Sequence, residues 1–259
     1  FEAIDKAVTE FNKKTGNQLC IHVDAASGGF ILPFLKPHVK WDFRLNNVLS
    51  ISTSGHKYGL VYPGLGWVIW KDKKYLPSEM AFSVNYLGAD ITQVGLNFSR
   101  PAAQVLGQYY QFIRLGFQGY KAIQQNSMEI AEYLHEEIGK MPQFKNYSSE
   151  LVNPLFIWSL NPKYDKVANW TLYDLQYKLQ QNGWMVPAYT LPKDLEQCVV
   201  MRIVCRQGFS RDMADMLLTD IRMAVADLEK LSYPTQSRVE VNRNIHPKPS
   251  FNHGGKKSH

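Results

Sequence analysis

The chain has 259 residues, 45% of them hydrophobic and 20% charged, an ordinary balance for a globular protein and length enough for one large domain or two smaller ones. No apolar run reaches the roughly eighteen residues a membrane span needs, and the opening Phe1-Glu2-Ala3-Ile4-Asp5-Lys6 lacks the basic head and apolar stretch of a signal peptide. Stable membrane insertion is therefore not expected, and a cytoplasmic protein is. Of the net charge of +6, Arg238, Arg243, Lys248, Lys256 and Lys257 against Glu240 account for +4 after Tyr233, and a basic tail without interleaved aromatics predicts no nucleic-acid partner.

Residues 2–15 place Ile4, Val8 and Phe11 at helical spacing and stop at Gly16, so the chain opens inside an amphipathic helix, without an initiating Met; further sequence upstream is expected. The run Leu19–Val23 predicts a strand, Val48–Ser52 a second and Gly66–Trp70 a third, each short, apolar and of the kind buried on both faces. From Pro101, the residues Val105, Leu106, Tyr109, Tyr110, Phe112 and Ile113 predict a broad-faced, well-buried helix ending near Gly116; another is expected from about Gly119 to Lys140. Beyond it come a strand at Leu155–Leu160, a helix opened by Thr171, a strand at Val199–Val204 and a helix opened by Ser210, an alternation that suggests a small α/β domain. From Tyr233 onward, Pro234, Pro247 and Pro249 and the lack of periodicity predict an extended or disordered tail. Cys20, Cys198 and Cys205 fall in apolar runs without metal-ligand spacing, which predicts buried, reduced thiols and no metal site.

Ser54-Gly55-His56-Lys57-Tyr58-Gly59 follows a strand and precedes the turn Pro63-Gly64-Leu65-Gly66. A lysine in a loop is ordinarily a solvated charge. At a strand end, where α/β sheets place ligands, burial would favour the neutral amine that attacks an aldehyde. His22-Val23-Asp24-Ala25-Ala26 ends another strand in a carboxylate, thirty-three residues before Lys57. Asp24 is read either as a cap or salt bridge or as the partner of a protonated ring nitrogen of a cofactor. His22 shares its face and is read as a buried, satisfied histidine. Arg202 stands among Val199, Val200, Met201, Ile203 and Val204, where a permanently charged guanidinium calls for an anion.

In this order, HVDAASGGF (22–30), SGHKYG (54–59), GWVIW (66–70), NFSRPA (97–102), GWMVPAYTL (183–191) and VMRIVCRQGF (200–209) resemble the pyridoxal-phosphate-dependent glutamate decarboxylases, bacterial forms above all. The similarity covers about residues 20–232 and marks the chain as their C-terminal portion. The resemblance implies an α/β, aspartate-aminotransferase-like (type I) fold. Residues 1–127 would be the remainder of a large, mostly parallel-sheet cofactor domain, 128–232 a small α/β domain and 233–259 a tail. It implies pyridoxal 5'-phosphate as cofactor, L-glutamate as substrate, 4-aminobutanoate and carbon dioxide as products, and a homodimer or higher homo-oligomer. Proton consumption in turnover suits acid resistance.

By motif, Lys57 would hold the cofactor as a Schiff base, Asp24 would pair with the ring nitrogen and Ala26 would lie against the ring. His56 and Ser54 would help hold the cofactor, His56 at its phosphate. Ser99 would either reach the phosphate of a neighbouring subunit or cap the following helix. Arg202 would grip the substrate α-carboxylate. The closing Pro249-Ser250-Phe251-Asn252-His253 resembles the segment by which bacterial forms gate activity with pH, which makes His253 the regulatory candidate. Calmodulin binding is not expected, because the tail has three prolines and no tryptophan. Two other readings stay open: a decarboxylase of another amino acid on this fold, or a non-catalytic fragment without the first half of the site.

Overall fold

A computed structural model describes residues 1–80, 82–84, 91–93 and 100–245; Ser99 and His253 lie outside the described residues. The chain divides into two compact units, Phe1–Asn126 and Ser127–His259.

The first unit opens with α1 (Glu2–Thr15), which ends as expected at Gly16, left-handed at φ 74° with its N–H bonded to the Asn12 carbonyl. Strand β1 (Ile21–Asp24), the short helix α2 (Leu32–Leu35), β2 (Val48–Ser54) and β3 (Gly66–Trp70) follow. β2 is central in a three-stranded sheet of order β1-β2-β3, parallel to β1 with Asp24 opposite Ser52, and antiparallel to β3. Ala25, Leu32, Trp41, Leu45, Val48 and Ile51 form the core beneath it. The expectation of strands buried on both faces holds for β2 alone. Among the described strands β1 and β3 have one neighbour each, and Val68 and Ile69 of β3 are exposed. The remaining pair, β4 (Phe82–Val84) and β5 (Ile91–Gln93), is antiparallel and was not foreseen.

The two helices expected across 101–140 are both present within Ala103–Gly139, together called α3, and meet as expected near Gly116, where a kink with φ of 54° and ψ of −166° is not helical. Its first stretch is not well buried. Val105, Leu106, Tyr109, Tyr110, Phe112 and Ile113 are exposed, although the Phe112 ring lies 6.2 Å from that of Phe30; the buried Tyr120, beyond the break, has its ring 5.9 Å from Phe30.

The second unit contains β6 (Phe144–Asn146), β7 (Leu155–Leu160), α4 (Pro162–Asp165), α5 (Leu172–Gln181), β8 (Ala188–Thr190), β9 (Val199–Val204), α6 (Arg211–Glu229) and α7 (Gln236–Ile245). Its four strands run antiparallel in the order β6-β7-β9-β8. Leu172, Leu175 and Leu179 of α5 and Leu217, Leu218, Ile221, Ala224, Val225 and Leu228 of α6 recur at three- and four-residue intervals, which puts each set on one buried stripe. Ser210 caps α6 by accepting the Met213 N–H at 3.2 Å, and Thr171 with Asp174 forms a capping box on α5.

The tail is not uniformly extended, because residues 236–245 form α7. Two tertiary anchors hold it. Asp174 Oδ2 accepts from the hydroxyls of Thr235 at 2.8 Å and Ser237 at 2.5 Å, and the buried Arg238 donates to the carbonyls of Ala168 and Asp165 and to the Asp165 carboxylate. Neither anchor has a local signature. Of the cysteines, only Cys205 is buried; Cys20, in the turn before β1, is exposed, and the half-buried Cys198 lies 2.7 Å from the Tyr147 hydroxyl. No described helix is long and apolar enough to cross a membrane.

Burial pushes three groups up to about 12: the Tyr120 phenol in the first unit and the Tyr164 phenol and Cys205 thiol in the second. Below the ordinary values of 9.0 for the thiol and 10.0 for the phenols, folded and unfolded chains hold these protons equally and the stabilisation is complete. Between there and about pH 12 the unfolded chain releases protons that the native one retains, so stability falls as pH rises. Urea midpoints are expected to decline once the pH exceeds about 9–10. Midpoints unchanged up to pH 12 would contradict these burials.

Candidate functional site

The parallel pairing of β1 with β2 brings two strand ends side by side. Beyond Asp24, the Ala25 N–H donates to the Ser52 carbonyl at 2.8 Å; beyond β2, the Ser54 N–H donates to the Ala26 carbonyl at 3.1 Å. The loop carrying Asp24 and Ala26 is thereby tied to the loop carrying Ser54, His56 and Lys57. Gly29 permits the approach: a Cβ there would meet the Thr53 Oγ1 and, at 2.8 Å, the Thr53 Cβ.

Asp24 Oδ1 accepts the Ala26 N–H at 3.0 Å, an Asx turn that aims the carboxylate along the loop. Asp24 is exposed, so the buried strand-end carboxylate expected from the sequence is not what this chain presents. His22 is exposed too, although satisfied, with Nδ1 2.8 Å from Ser50 Oγ and Nε2 3.2 Å from Ser52 Oγ. His56 is half-buried, its Nδ1 3.0 Å from the Leu65 carbonyl oxygen. Lys57 is exposed, not buried as expected. Asp24 ends β1, which has one neighbour among the described strands, and Lys57 stands on the loop beyond the end of β2.

In the second unit, Arg202 lies on the exposed side of β9, where residues alternate inward and outward, with its guanidinium carbon 5.7 Å from the centre of the Tyr189 ring. Solvent therefore reaches its charge, and the apolar strand around it does not by itself demand an anion. It lines a groove of about 410 Å³ with Trp184, Pro187, Val204, Phe209 and Met213.

The sequence reading missed what holds the Lys57 loop from behind. Four glutamine amides of α3 donate to its carbonyls: Gln104 to Pro63 at 3.1 Å, Gln108 to Gly59 at 2.8 Å, Gln111 to Leu60 at 3.2 Å and Gln124 to Tyr58 at 2.8 Å. The available signal was polar residues on the inward stripe of a helix beside apolar ones.

An amine, a carboxylate, an imidazole, a hydroxyl and a small Ala26 side chain on two adjoining strand ends form a donor set that fits pyridoxal phosphate, which bears an aldehyde, a ring nitrogen and a phosphate. No group of three or more metal-ligating side chains occurs among the described residues.

Residues 1–160 match the pyridoxal-dependent decarboxylase conserved domain, and the chain belongs to that family. Among its relatives, the glutamate decarboxylase beta of Listeria monocytogenes is 47% identical over 226 residues, covering 87% of this chain and 48% of the relative. The solved glutamate decarboxylase of Lactobacillus brevis superposes with a TM-score of 0.80 at 47% identity, over 88% of this chain and 51% of that one. A sphingosine-1-phosphate lyase from Burkholderia pseudomallei, at 20% identity and a TM-score of 0.71, shares the fold over 94% of this chain and 51% of its own. The fold is thus the expected α/β type I fold, matched over about half of the relatives' chains, and this chain is similar to a portion of the glutamate decarboxylases. It spans about half the length of the curated relatives it matches.

Proposed function

We propose that this chain supplies the cofactor-carrying lysine of a glutamate decarboxylase, which converts L-glutamate to 4-aminobutanoate and carbon dioxide with pyridoxal 5'-phosphate. The observation behind the reading is the hydrogen-bonded pair of strand ends, which sets a carboxylate loop beside an amine loop at the carboxyl edge of a parallel pair. Pyridoxal phosphate, when bound, supplies an aldehyde that an amine can hold and a ring that accepts the electrons left when carbon dioxide departs.

Each side chain has one task in this reading. The Lys57 amine would hold the cofactor through its aldehyde. Asp24 keeps the ring nitrogen protonated, because a carboxylate beside it favours the charged form. Ala26 leaves room for the ring face, and His56, Ser54 and Ser99 serve to hold the cofactor, His56 and Ser99 at its phosphate. Arg202 takes the substrate α-carboxylate through its planar fork. The Arg202, Ser99 and His253 roles rest on motif resemblance. Assembly as a homo-oligomer and a part in acid resistance, through the proton consumed in each turnover, belong to the same reading.

A chimera in which the first half of the Listeria monocytogenes relative precedes this chain tests it. Loaded with pyridoxal phosphate, the chimera is expected to release carbon dioxide and 4-aminobutanoate from L-glutamate. Release only from an aromatic amino acid or histidine would replace the substrate, and no release from any of them would overturn the reading.

A further inference from the structure

Gln108 is fully buried, and its Nε2 donates both to the Gly59 carbonyl at 2.8 Å and to the Tyr120 hydroxyl at 2.9 Å. Tyr120, also buried, donates its own hydroxyl proton to the same Gly59 carbonyl at 2.8 Å. Gln124, again fully buried, holds the neighbouring Tyr58 carbonyl. Residues 58 and 59 immediately follow Lys57, so two successive peptide units next to the amine are fixed by three buried side chains.

The arrangement carries a backbone cost. A Cβ on Gly55 would come within 2.6 Å of Gln108 Oε1, and one on Gly59 within 2.8 Å of it and 2.5 Å of the Gly55 carbonyl oxygen. Glycine on both sides of Lys57 therefore admits the amide. Leu60, next in the loop, sits at φ 66°, a conformation costing a non-glycine residue about 1–2 kcal/mol, and the Gln111 amide holds its carbonyl. Gln108 Oε1 has no partner among the described residues, a further cost accepted in the interior.

The break in α3 makes the clamp possible. Gln108 and Tyr120 are twelve positions apart, roughly 18 Å along a continuous helix at about 1.5 Å per residue. Their side chains meet at 2.9 Å because the chain changes direction at Gly116. Burial also pushes the Tyr120 phenol up to about 12, so it remains a proton donor throughout the neutral range.

We propose that Gln108, with Tyr120 and Gln124, is a positioning residue that sets the place of the Lys57 amine by clamping the Tyr58 and Gly59 carbonyls. The proposal rests on the reading of Lys57 as the cofactor lysine. It makes no claim that these residues touch the cofactor.

The test measures capture at Lys57 in the 259-residue chain. Its amine condenses with the aldehyde of pyridoxal phosphate, losing water, and borohydride delivers hydride to the resulting C=N bond, leaving a stable secondary amine that peptide mapping locates. Gln108→Leu, of similar size but without the amide, is expected to slow capture at Lys57 about 10–100-fold, the range associated with displacing a reacting group by about an ångström. It should also weaken the induced circular dichroism of the captured cofactor. Tyr120→Phe, which removes one hydroxyl only, is expected to slow capture several-fold without unfolding the chain. Trp41→Phe is the control, because it perturbs the core of the same unit at a residue outside the Asp24 and Lys57 loops and the clamp. If capture and dichroism fall as much in Trp41→Phe as in Gln108→Leu, or are unchanged in both clamp variants, the positioning role is wrong while the Lys57 reading stands. If the unaltered chain is not captured at Lys57, both are wrong.

Discussion

Lys57→Ala is expected to abolish covalent capture of pyridoxal phosphate by this chain and, in the chimeric enzyme, to lower turnover on the order of 10⁴-fold or more, as loss of a covalent-catalysis residue does. The basis is local. Among the described residues the Lys57 amine makes no ion pair or hydrogen bond, its backbone N–H alone donating to the Ser54 carbonyl at 3.3 Å, whereas Lys71 donates to the Leu45 and Asn46 carbonyls and Lys40, Lys140 and Lys230 pair with carboxylates. Several lysines are nevertheless exposed, so selectivity has to come from the surroundings of the amine, and Asp24, Ala26 and His56 stand on the two adjoining loops.

Trypsin gives the readout: a modified Lys57 is not cleaved, so Leu45 to Lys71 survives as one peptide carrying the reduced cofactor. The unaltered chain should yield this peptide as the dominant labelled species and show a visible absorbance band; the alanine variant should yield neither. Equal labelling of exposed lysines elsewhere, with Leu45–Lys71 unlabelled, would overturn the assignment.

The largest effect on stability is expected at Trp158. Fully buried in β7, it packs against Phe144 and Phe156 with ring centroids 6.4 and 5.6 Å away and faces Asn146 and Met201 on the flanking strands. Trp158→Ala is expected to cost about 3–5 kcal/mol through lost burial and a cavity, a large share of the roughly 5–15 kcal/mol that holds a typical domain. Trp158→Phe separates two contributions. It leaves a smaller void and removes an indole N–H that is buried without a partner among the described residues, whose desolvation costs about 1–3 kcal/mol. Its net cost is therefore expected below about 2 kcal/mol. Urea unfolding followed by far-ultraviolet circular dichroism measures both variants; a phenylalanine variant as unstable as the alanine one would mean that the N–H is bonded after all.

Much of this protein is legible from short-range pattern. Gly16, Thr171 and Ser210 end or open helices because their preferences act within one turn of backbone, and the apolar stripes of α5 and α6 follow from helical spacing. The Lys57 and Asp24 loops could be singled out because each places a chemically unusual residue after a strand-like run. Exposure was not legible in the same way. Lys57, Asp24, Arg202 and the outward face of α3 were read as buried from their apolar neighbours, yet burial depends on which layers cover a residue: Asp24 ends a strand with one described neighbour, Lys57 stands on a loop beyond β2, and Arg202 faces outward from β9.

Nor could α7 be foreseen, since it is held by Asp174 and by the pairing of Arg238 with Asp165, contacts 63 and 73 positions apart. The same contrast holds at Lys57. Identity of the amine, the carboxylate and their strand ends is carried by contiguous residues. The clamp behind the amine joins residues 59, 108 and 120 through a helix that breaks at Gly116, and no local preference encodes that meeting, because hydrogen bonds across such spans exist only after the chain has packed.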